Sequence, residues 1–201
     1  MSKTIDYYFW LNSDWAYLGA DRLDAIGQRH NIRINYLPVD LPEVYRRTGG
    51  VLLSERSHER QAYRIVELQR WCRELRIAVN PSPRYMCPNA DLASRLVIAA
   101  LALQLPVTPL YKRILRAQWC DEQDISDPSV LRRLVAELDY DVDALFTQQA
   151  EPDVELTYRQ NTDAAVAAGV FGSPTYVYDG EVFWGQDRLD FLEKAIVLSK
   201  S

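Results

Sequence analysis

The stretch from Val170 to Leu189 constrains the fold of this chain more than any other part of the sequence. Within it, Pro174 directly precedes the apolar run Thr175–Tyr178. A proline in that place donates no ladder hydrogen bond, so it marks either the start of a strand or a tight turn that can be cis. Asp179-Gly180 then separates this run from Glu181–Trp184, and Asp-Gly between two such runs is typical of a β-hairpin.

Helical patterns flank this hairpin on both sides. Before it, an alanine-rich pattern from about Asp153 to Ala168 ends at Gly169, a residue type common just after a helix. After it, Gly185 breaks the second strand, and apolar residues recur at helical spacing at Leu189, Leu192 and Ile196. A turn with proline, a hairpin and a closing helix together resemble the C-terminal half of a thioredoxin-like domain.

The N-terminal part of the chain has the pattern strand, helix, strand. Residues from Ile5 to Leu11 are largely apolar on both faces, which indicates a central strand of a parallel or mixed sheet. Asn12-Ser13-Asp14, three residues of the helix-capping type, end this run and precede an amphipathic helical pattern. A second strand follows over Ile32–Val39 and ends by Pro42. Such a unit implies a right-handed crossover into a parallel pair of strands.

Between about Leu41 and Asp153 the strand patterns stop, and five amphipathic helices are predicted. The apolar positions of the first four are, in chain order, Ile65, Leu68, Cys72 and Leu75; Leu92, Leu96, Ala99 and Leu103; Leu110, Ile114 and Ala117; and Leu131, Leu134 and Leu138. The fifth helix is short and follows Asp143. Asp127 and Pro128 mark the start of the fourth helix as its cap and first helical residue. We therefore predict an α/β chain with a thioredoxin-like fold. Residues 1–41 and 154–201 would form the thioredoxin-like domain, and residues 42–153 an inserted all-helical domain.

Composition narrows the classes of function. The formal net charge of −5 and the pI near 5.1 argue against a nucleic-acid surface. The longest apolar run, Leu96 to Leu103, is too short to span a bilayer, so no membrane partner is expected. The three cysteines form no Cys-x-x-Cys pair, so neither a disulfide framework nor a metal site is predicted. With no signal-peptide pattern at the N-terminus, a cytoplasmic location is expected.

Ser13 is the candidate for chemistry that position alone suggests. It lies between the first strand and the first helix, where the free backbone N–H groups and the helix dipole favour an anion. The alternative from the same position is that Ser13 only caps the helix. Dithiol–disulfide exchange is excluded at this loop, because Ser13 and Ala16 occupy both cysteine positions of a redox motif.

The segments from Asp6 to Leu18 and from Val170 to Leu189 together resemble the 2-hydroxychromene-2-carboxylate isomerases, relatives of the kappa-class glutathione transferases. The resemblance implies a glutathione-dependent isomerase of aromatic catabolism, with glutathione as a cofactor that is regenerated in each cycle. It also implies a small aromatic or unsaturated carboxylate as substrate, and a homodimer. In such an enzyme the hydroxyl of Ser13 donates a hydrogen bond to the sulfur of glutathione and holds it as the thiolate.

The resemblance further implies which residues hold glutathione. Ser173, with Pro174 after it, would offer its backbone N–H and C=O to the cysteinyl part. Gln186 and Asp187, at the start of the last helix, would hold the γ-glutamyl end, since helix-start N–H groups bind a carboxylate and Asp187 can pair with the ammonium. Arg60 would bind the glycyl carboxylate. Each residue also has a structural alternative. The turn at Ser173 and Pro174 would be needed for folding alone, Asp187 would complement the helix dipole, and Arg60 would be a solvated charge.

Two departures from the family pattern bear on activity. Asp14 follows Ser13 where the family usually has proline, and a carboxylate there would raise the pKa of a neighbouring thiol, although it also suits the first turn of a helix. In residues 48–60 the family's asparagine is missing, and Arg60 stands where a lysine is expected. The alternatives are therefore a kappa-type transferase or peroxidase that consumes glutathione, and a protein that binds a partner along Pro174 without catalysis.

Overall fold

One four-stranded mixed sheet runs through the chain, which a computed structural model describes over residues 4–199. Its strands are β1 (Thr4–Phe9), β2 (Arg33–Pro38), β3 (Thr175–Tyr178) and β4 (Glu181–Trp184), in the order β2-β1-β3-β4. β1 pairs in parallel with β2 and antiparallel with β3. β3 and β4 form the antiparallel hairpin that Asp179-Gly180 predicted.

β1 is the central strand, and both of its faces are buried as its apolar pattern predicted. Ile5, Tyr7 and Phe9 are fully buried on one face, and Tyr8 is 5% exposed on the other. The strand ends at Phe9, two residues before the predicted end. The reason is that the N–H of Trp10 donates to the side-chain oxygen of Ser173 at 2.8 Å instead of joining the ladder.

Nine α-helices surround the sheet within the described residues. They are α1 (Asp14–His30), α2 (Leu41–Thr48), α3 (His58–Leu75), α4 (Asp91–Ala102), α5 (Val107–Trp119), α6 (Pro128–Ala136), α7 (Val142–Gln148), α8 (Pro152–Ala167) and α9 (Leu189–Leu198), with short 3₁₀ turns at Leu53–Glu55 and Gln186–Arg188. The cap predicted at Asp127 is confirmed, because its carboxylate accepts from the N–H of Ser129 at 2.7 Å. The five helices predicted between Leu41 and Asp153 are α3 to α7, and the one predicted from about Asp153 to Ala168 is α8.

Helix α2 was not predicted. Pro42 was interpreted as the end of the second strand, whereas it lies in the first turn of α2. Proline is tolerated there because an N–H in the first turn has no acceptor within the helix. The side chain of Asp40 caps this helix by accepting from the N–H of Glu43 at 3.2 Å. An aspartate two residues before a proline therefore carried the signal that was missed.

The sheet separates two apolar clusters. On one face, Tyr7 and Phe9 pack in a cluster that also contains Leu96 of α4, Tyr111 of α5 and Leu192 of α9. On the other face, the second cluster consists of Tyr8, Val39, Leu41, Val44, Ala165 and Val170. Helices of the predicted insertion thus share a continuous core with the sheet. The division at residues 41/42 and 153/154 stays a prediction from the order of the elements.

Helices α1 and α9 are also joined at their surfaces by charged side chains. Arg22 and Asp190 form an ion pair of 2.7 Å. His30, the last residue of α1, has its Nε2 at 2.7 Å from Oε1 of Glu193. These contacts hold α9 against α1.

Candidate active site

Ser13 and Ser173 meet at the carboxyl end of β1. The hydroxyl of Ser13 donates to the backbone carbonyl of Ser173 at 3.2 Å, and the Ser13 oxygen accepts from the N–H of Ala16 at 3.1 Å. The Ser173–Pro174 peptide bond is cis, as the sequence allowed. Ser13 is therefore a helix cap in this structure. It is also held against the cis-proline loop, 5% exposed, at the N-terminus of α1.

A cleft of about 580 Å³ brings Gln186 and Asp187 together with Arg60. Ser173 also lines this cleft, so four of the predicted glutathione contacts share one space. Its volume lies within the usual range for sites that take a ligand of drug size. We refer to this space, with Trp15, Arg60, Trp184 and Asp187 among its walls, as the cleft.

Gln186 and Asp187, in the 3₁₀ turn before α9, differ in what they present to the cleft. Gln186 is 1% exposed, and its backbone and side-chain carbonyl oxygens both accept from Nη1 of Arg22 at 3.0 Å. Asp187 is 39% exposed and forms an ion pair with Arg188 at 3.1 Å. Gly185 has φ 103°, and a Cβ there would stand 2.5 Å from a carboxylate oxygen of Asp187. Only glycine fits this close turn, which presents Asp187 to the cleft.

Arg60 lies on the wall that α3 contributes to the cleft, in the first turn of that helix. Ser57 caps this helix by accepting from the N–H of Arg60 at 3.4 Å. Arg56 lines the same wall and is held by the carbonyl of Val51 at 2.9 Å and by the hydroxyl of Tyr45 at 3.4 Å. The cleft thus has both signs of charge on each side: Arg56, Arg60 and Arg64 with Glu59 and Glu67 on its α3 side, and Asp187 with Arg188 on its α9 side.

A second space of about 530 Å³, which we call the chamber, adjoins the cleft. Ser13 lines the chamber and not the cleft, and the residues common to both are Trp15, Tyr45, Arg56, Arg64 and Ser173. Apolar side chains form much of the chamber wall, among them Trp10, Leu41, Leu53, Ile65, Met86 and Trp119. The hydroxyl of Ser13 therefore stands where a ligand in the cleft and a second, apolar ligand in the chamber would meet.

Asp14 does not simply complement the helix dipole, as its position in the first turn suggested. Its carboxylate forms a buried ion pair with Arg64 of α3, with 2.5 Å between Oδ2 and Nη2, and the two side chains are only 7% and 9% exposed. Burial raises the pKa of the Asp14 carboxyl above its ordinary value, and the guanidinium of Arg64 and the N–H of Trp15 offset part of that rise. The pair faces the chamber directly beside Ser13.

The chamber also holds a thiol and an amide. Burial, with a smaller contribution from the charge of Asp14, raises the pKa of the Cys87 thiol to about 11. Cys87 is therefore a poor nucleophile near neutral pH. The amide nitrogen of Asn12 donates to the carbonyl of Pro88 at 2.6 Å, whereas its buried Oδ1 has no hydrogen-bond partner among residues 4–199. That oxygen can accept a hydrogen bond from a ligand.

Sequence reasoning missed Arg64 as a residue of the site. Arg64 lies four positions after Arg60, and residues four apart share one face of a helix, so the spacing would have identified it. Asn12 was assigned only to the helix-capping run. Among the described residues there is no cluster of acidic, histidine or cysteine side chains that could hold a metal ion, and no helix long and apolar enough to cross a membrane. The three cysteines are free thiols.

Three comparisons with known proteins agree. The sequence pattern of the family described as DSBA-like thioredoxin domain matches residues 4–197. A 2-hydroxychromene-2-carboxylate isomerase of Sphingobium xenophagum is 30% identical over 98% of this chain and 100% of its own. One of Pseudomonas sp. (strain C18) is 31% identical over 96% of this chain and 89% of its own. A solved 2-hydroxychromene-2-carboxylate isomerase superimposes with a TM-score of 0.80 at 26% identity, covering 96% of this chain and 94% of its own. The predicted thioredoxin-like fold and family resemblance are confirmed.

Proposed function

Since this chain belongs to the DSBA-like thioredoxin domains and, within them, to the 2-hydroxychromene-2-carboxylate isomerase family, we propose that it is an isomerase that uses glutathione. Its substrate would be a small unsaturated aromatic carboxylate such as the relatives' names indicate. The observation that carries the proposal is the place of Ser13, at a helix N-terminus in the chamber and hydrogen-bonded to Ser173, which borders both the chamber and the cleft. Glutathione in the cleft would reach Ser13 with its sulfur and face a substrate in the chamber.

The charges of the cleft support glutathione as its ligand. Glutathione carries a carboxylate at its glycyl end and both an ammonium and a carboxylate at its γ-glutamyl end. Arg60 of α3 would bind the glycyl carboxylate, and Asp187, in the turn before α9, the ammonium. Because the side chain of Gln186 is occupied by Arg22, Gln186 would contribute its backbone N–H at the helix start.

Ser173 would bind the middle of glutathione through its backbone. Its side-chain oxygen is already engaged, because it accepts from the N–H of Trp10. Within residues 4–199 no group accepts a hydrogen bond from the N–H of Ser173, which borders both the cleft and the chamber. Pro174 holds this N–H in place by turning the chain into β3. A peptide ligand can dock there in the manner of an added strand.

The hydroxyl of Ser13 would then exchange one acceptor for another. Its oxygen keeps accepting from the N–H of Ala16, while its proton leaves the carbonyl of Ser173 for the sulfur. A hydrogen bond to a charged group is worth about 1.5–3 kcal/mol, against about 1 kcal/mol between neutral groups. The exchange therefore favours the ionised sulfur. The cap and the catalytic role of Ser13 are compatible, since they use the oxygen as acceptor and as donor.

When bound, glutathione would supply a thiolate for reversible addition to the substrate's conjugated double bond, with the electron pair passing to the carbonyl, so that the bond could rotate before the thiolate leaves again. The chamber's apolar walls would hold the aromatic ring and exclude water from the reacting atoms. Asn12 could accept a hydrogen bond from a hydroxyl of the substrate through its unpartnered Oδ1. The homodimer and the cytoplasmic location stay predictions.

Two measurements test the proposal. Calorimetric titration should give saturable binding of reduced glutathione and of S-methylglutathione, which lacks a free thiol. Isomerisation should require glutathione, fail with the S-methyl compound, and leave the total thiol concentration unchanged. No heat and no thermal stabilisation at millimolar glutathione would refute the use of glutathione. Loss of one thiol per turnover would instead identify a transferase.

A further inference from the structure

Arg64 is held more firmly than Arg56, the other arginine in the described lining of the chamber. Its Nη1 donates to the carbonyl of Pro81 at 3.1 Å, and its Nη2 lies 2.5 Å from Oδ2 of Asp14. Its guanidinium carbon stands 5.5 Å from the centre of the Trp119 ring. A planar guanidinium fixed on three sides loses little conformational freedom when it binds a further partner.

The contacts of Arg64 do not use up its hydrogen bonds. Neither Nη2 of Arg64 nor Oδ2 of Asp14 has an aligned hydrogen-bond partner among the described residues, although the two atoms form an ion pair. A guanidinium has five N–H donors, of which the carbonyl of Pro81 takes one. Arg56 is less available, because the carbonyl of Val51 and the hydroxyl of Tyr45 already engage it.

The formal charge of the chamber favours an anion. Its described lining includes two cations, Arg56 and Arg64, and one anion, Asp14, which leaves one positive charge in a chain whose net charge is −5. One carboxylate would bring the chamber to formal neutrality. Asp14 balances the buried Arg64, and the excess charge is that of the half-buried Arg56, so an acceptor with a carboxylate fits this lining better than a neutral one.

From these observations, and resting on the proposed function, we infer that Arg64 binds the carboxylate of the substrate and so selects acidic over neutral acceptors. Arg64 borders both the chamber and the cleft and stands across Asp14 from Ser13. A carboxylate on Arg64 would place the adjoining unsaturated carbons near the sulfur that Ser13 holds. Asp14 is the counter-charge that keeps an otherwise unpaired guanidinium inside the chamber when no substrate is present.

The test compares two acceptors with the same conjugated skeleton, benzylidenepyruvate with its carboxylate and benzylideneacetone without one. Binding of each to the free protein is followed by quenching of tryptophan fluorescence, because Trp15, Trp71 and Trp119 line the two spaces. This titration needs no glutathione, so it separates the inference from the proposed function. A protein that binds no glutathione but still prefers the acid would refute the proposed function and leave the inference about Arg64 intact.

Arg64→Met alone would strand the buried carboxylate of Asp14, so the variant to use is the double variant Asp14→Asn/Arg64→Met, which removes both charges. We expect it to bind the acid at least about tenfold more weakly and the ketone unchanged. Arg64→Lys should fall between, because it keeps the charge and loses the planar fork. Arg60→Met, one turn away and outside the chamber, should weaken glutathione binding and leave the preference for the acid intact.

Two results would overturn the inference. One is a double variant that keeps the full preference for the acid. The other is a double variant whose affinities for the acid and for the ketone fall equally, while its circular dichroism and its glutathione affinity match those of the parent. A parent protein that binds the acid and the ketone with equal affinity would overturn it as well.

Discussion

The hydroxyl of Ser13 donates to the backbone carbonyl of Ser173 across 3.2 Å, although 160 residues separate the two in the chain. This bond joins the N-terminus of α1 to the cis-proline loop that leads into β3. The same oxygen accepts the capping bond from Ala16. One side chain thus links the two segments between which a bound thiol would lie, and it can be tested separately as a cap and as a donor.

Replacing Ser13 by alanine should raise the pKa of bound glutathione by about one to two units, because the thiolate loses a charge-assisted hydrogen bond. Stability should also fall by about 1 kcal/mol through loss of the cap. Thiolate absorbance in the ultraviolet, followed against pH, measures the first effect. Asp141→Ala is the matched control, since it removes the cap of α7, where Asp141 accepts from the N–H of Ala144 at 2.9 Å, far along the chain from the site. If Ser13→Ala left the thiol titration in place and lowered stability alone, Ser13 would be only a cap.

Replacing Asp187 by alanine should weaken glutathione binding by about tenfold, the lower end of what a charge-assisted hydrogen bond contributes, because this carboxylate is partly solvated and shared with Arg188. Calorimetry measures the change. Asp190→Ala serves as control, because Asp190 lies three residues on, pairs with Arg22 and does not line the cleft. Equal affinities in Asp187→Ala and Asp190→Ala would assign Asp187 to the helix dipole.

Cys87 should be alkylated slowly in the folded protein. With a thiol pKa of about 11, its thiolate fraction at pH 8 is on the order of a hundredfold below that of an ordinary cysteine. Iodoacetamide labelling followed by peptide mass analysis gives the rate, which should rise steadily with pH up to the pKa. The same protein unfolded in urea is the control, because there burial no longer raises the pKa. Equal rates in the folded and unfolded states would contradict the prediction.

Glu193 should stabilise the fold at neutral pH and lose this effect in acid. Contact with His30 and then with Arg29 lowers the pKa of Glu193 below its unfolded value, so its contribution is present above about pH 4.5 and disappears as the pH falls through the folded pKa. Glu193→Gln should therefore unfold more easily at pH 7, by at most about 1 kcal/mol for a partly solvated pair. Denaturant titration at several pH values should show this gap closing below about pH 4.

Glu74→Gln is the control for that series, because Glu74 is an exposed carboxylate of α3 with no ion pair among the described residues. Its unfolding free energy should match that of the parent throughout. A difference between Glu193→Gln and the parent that persists unchanged to pH 3 would show that the side chain acts through packing instead of charge.

The local elements could be predicted because their signals lie close together in the chain. Asp179-Gly180 specified the hairpin of β3 and β4, and Asp127 with Pro128 specified the start of α6. The run from Ile5 to Leu11, apolar on both faces, placed β1 at the centre of the sheet. Each signal acts through a backbone preference or a hydrogen bond within a few residues, so no knowledge of the packing was needed. Helix α2 was missed at Pro42, although its signal was local as well, since its cap Asp40 stands in the sequence two residues earlier.

For the candidate site, the residues could be predicted but their contacts could not. The family resemblance identified Ser13, Ser173, Gln186, Asp187 and Arg60, and the structure brings four of them to one cleft with Ser13 beside it. No local signal showed that Asp14 would be buried against Arg64, or that the side chain of Gln186 would turn to Arg22. The sequence by itself determined where strands, helices and caps occur. Only the tertiary structure decided which distant elements pack together, and with that the burial and the partner of each charged group in the site and the raised pKa of Asp14.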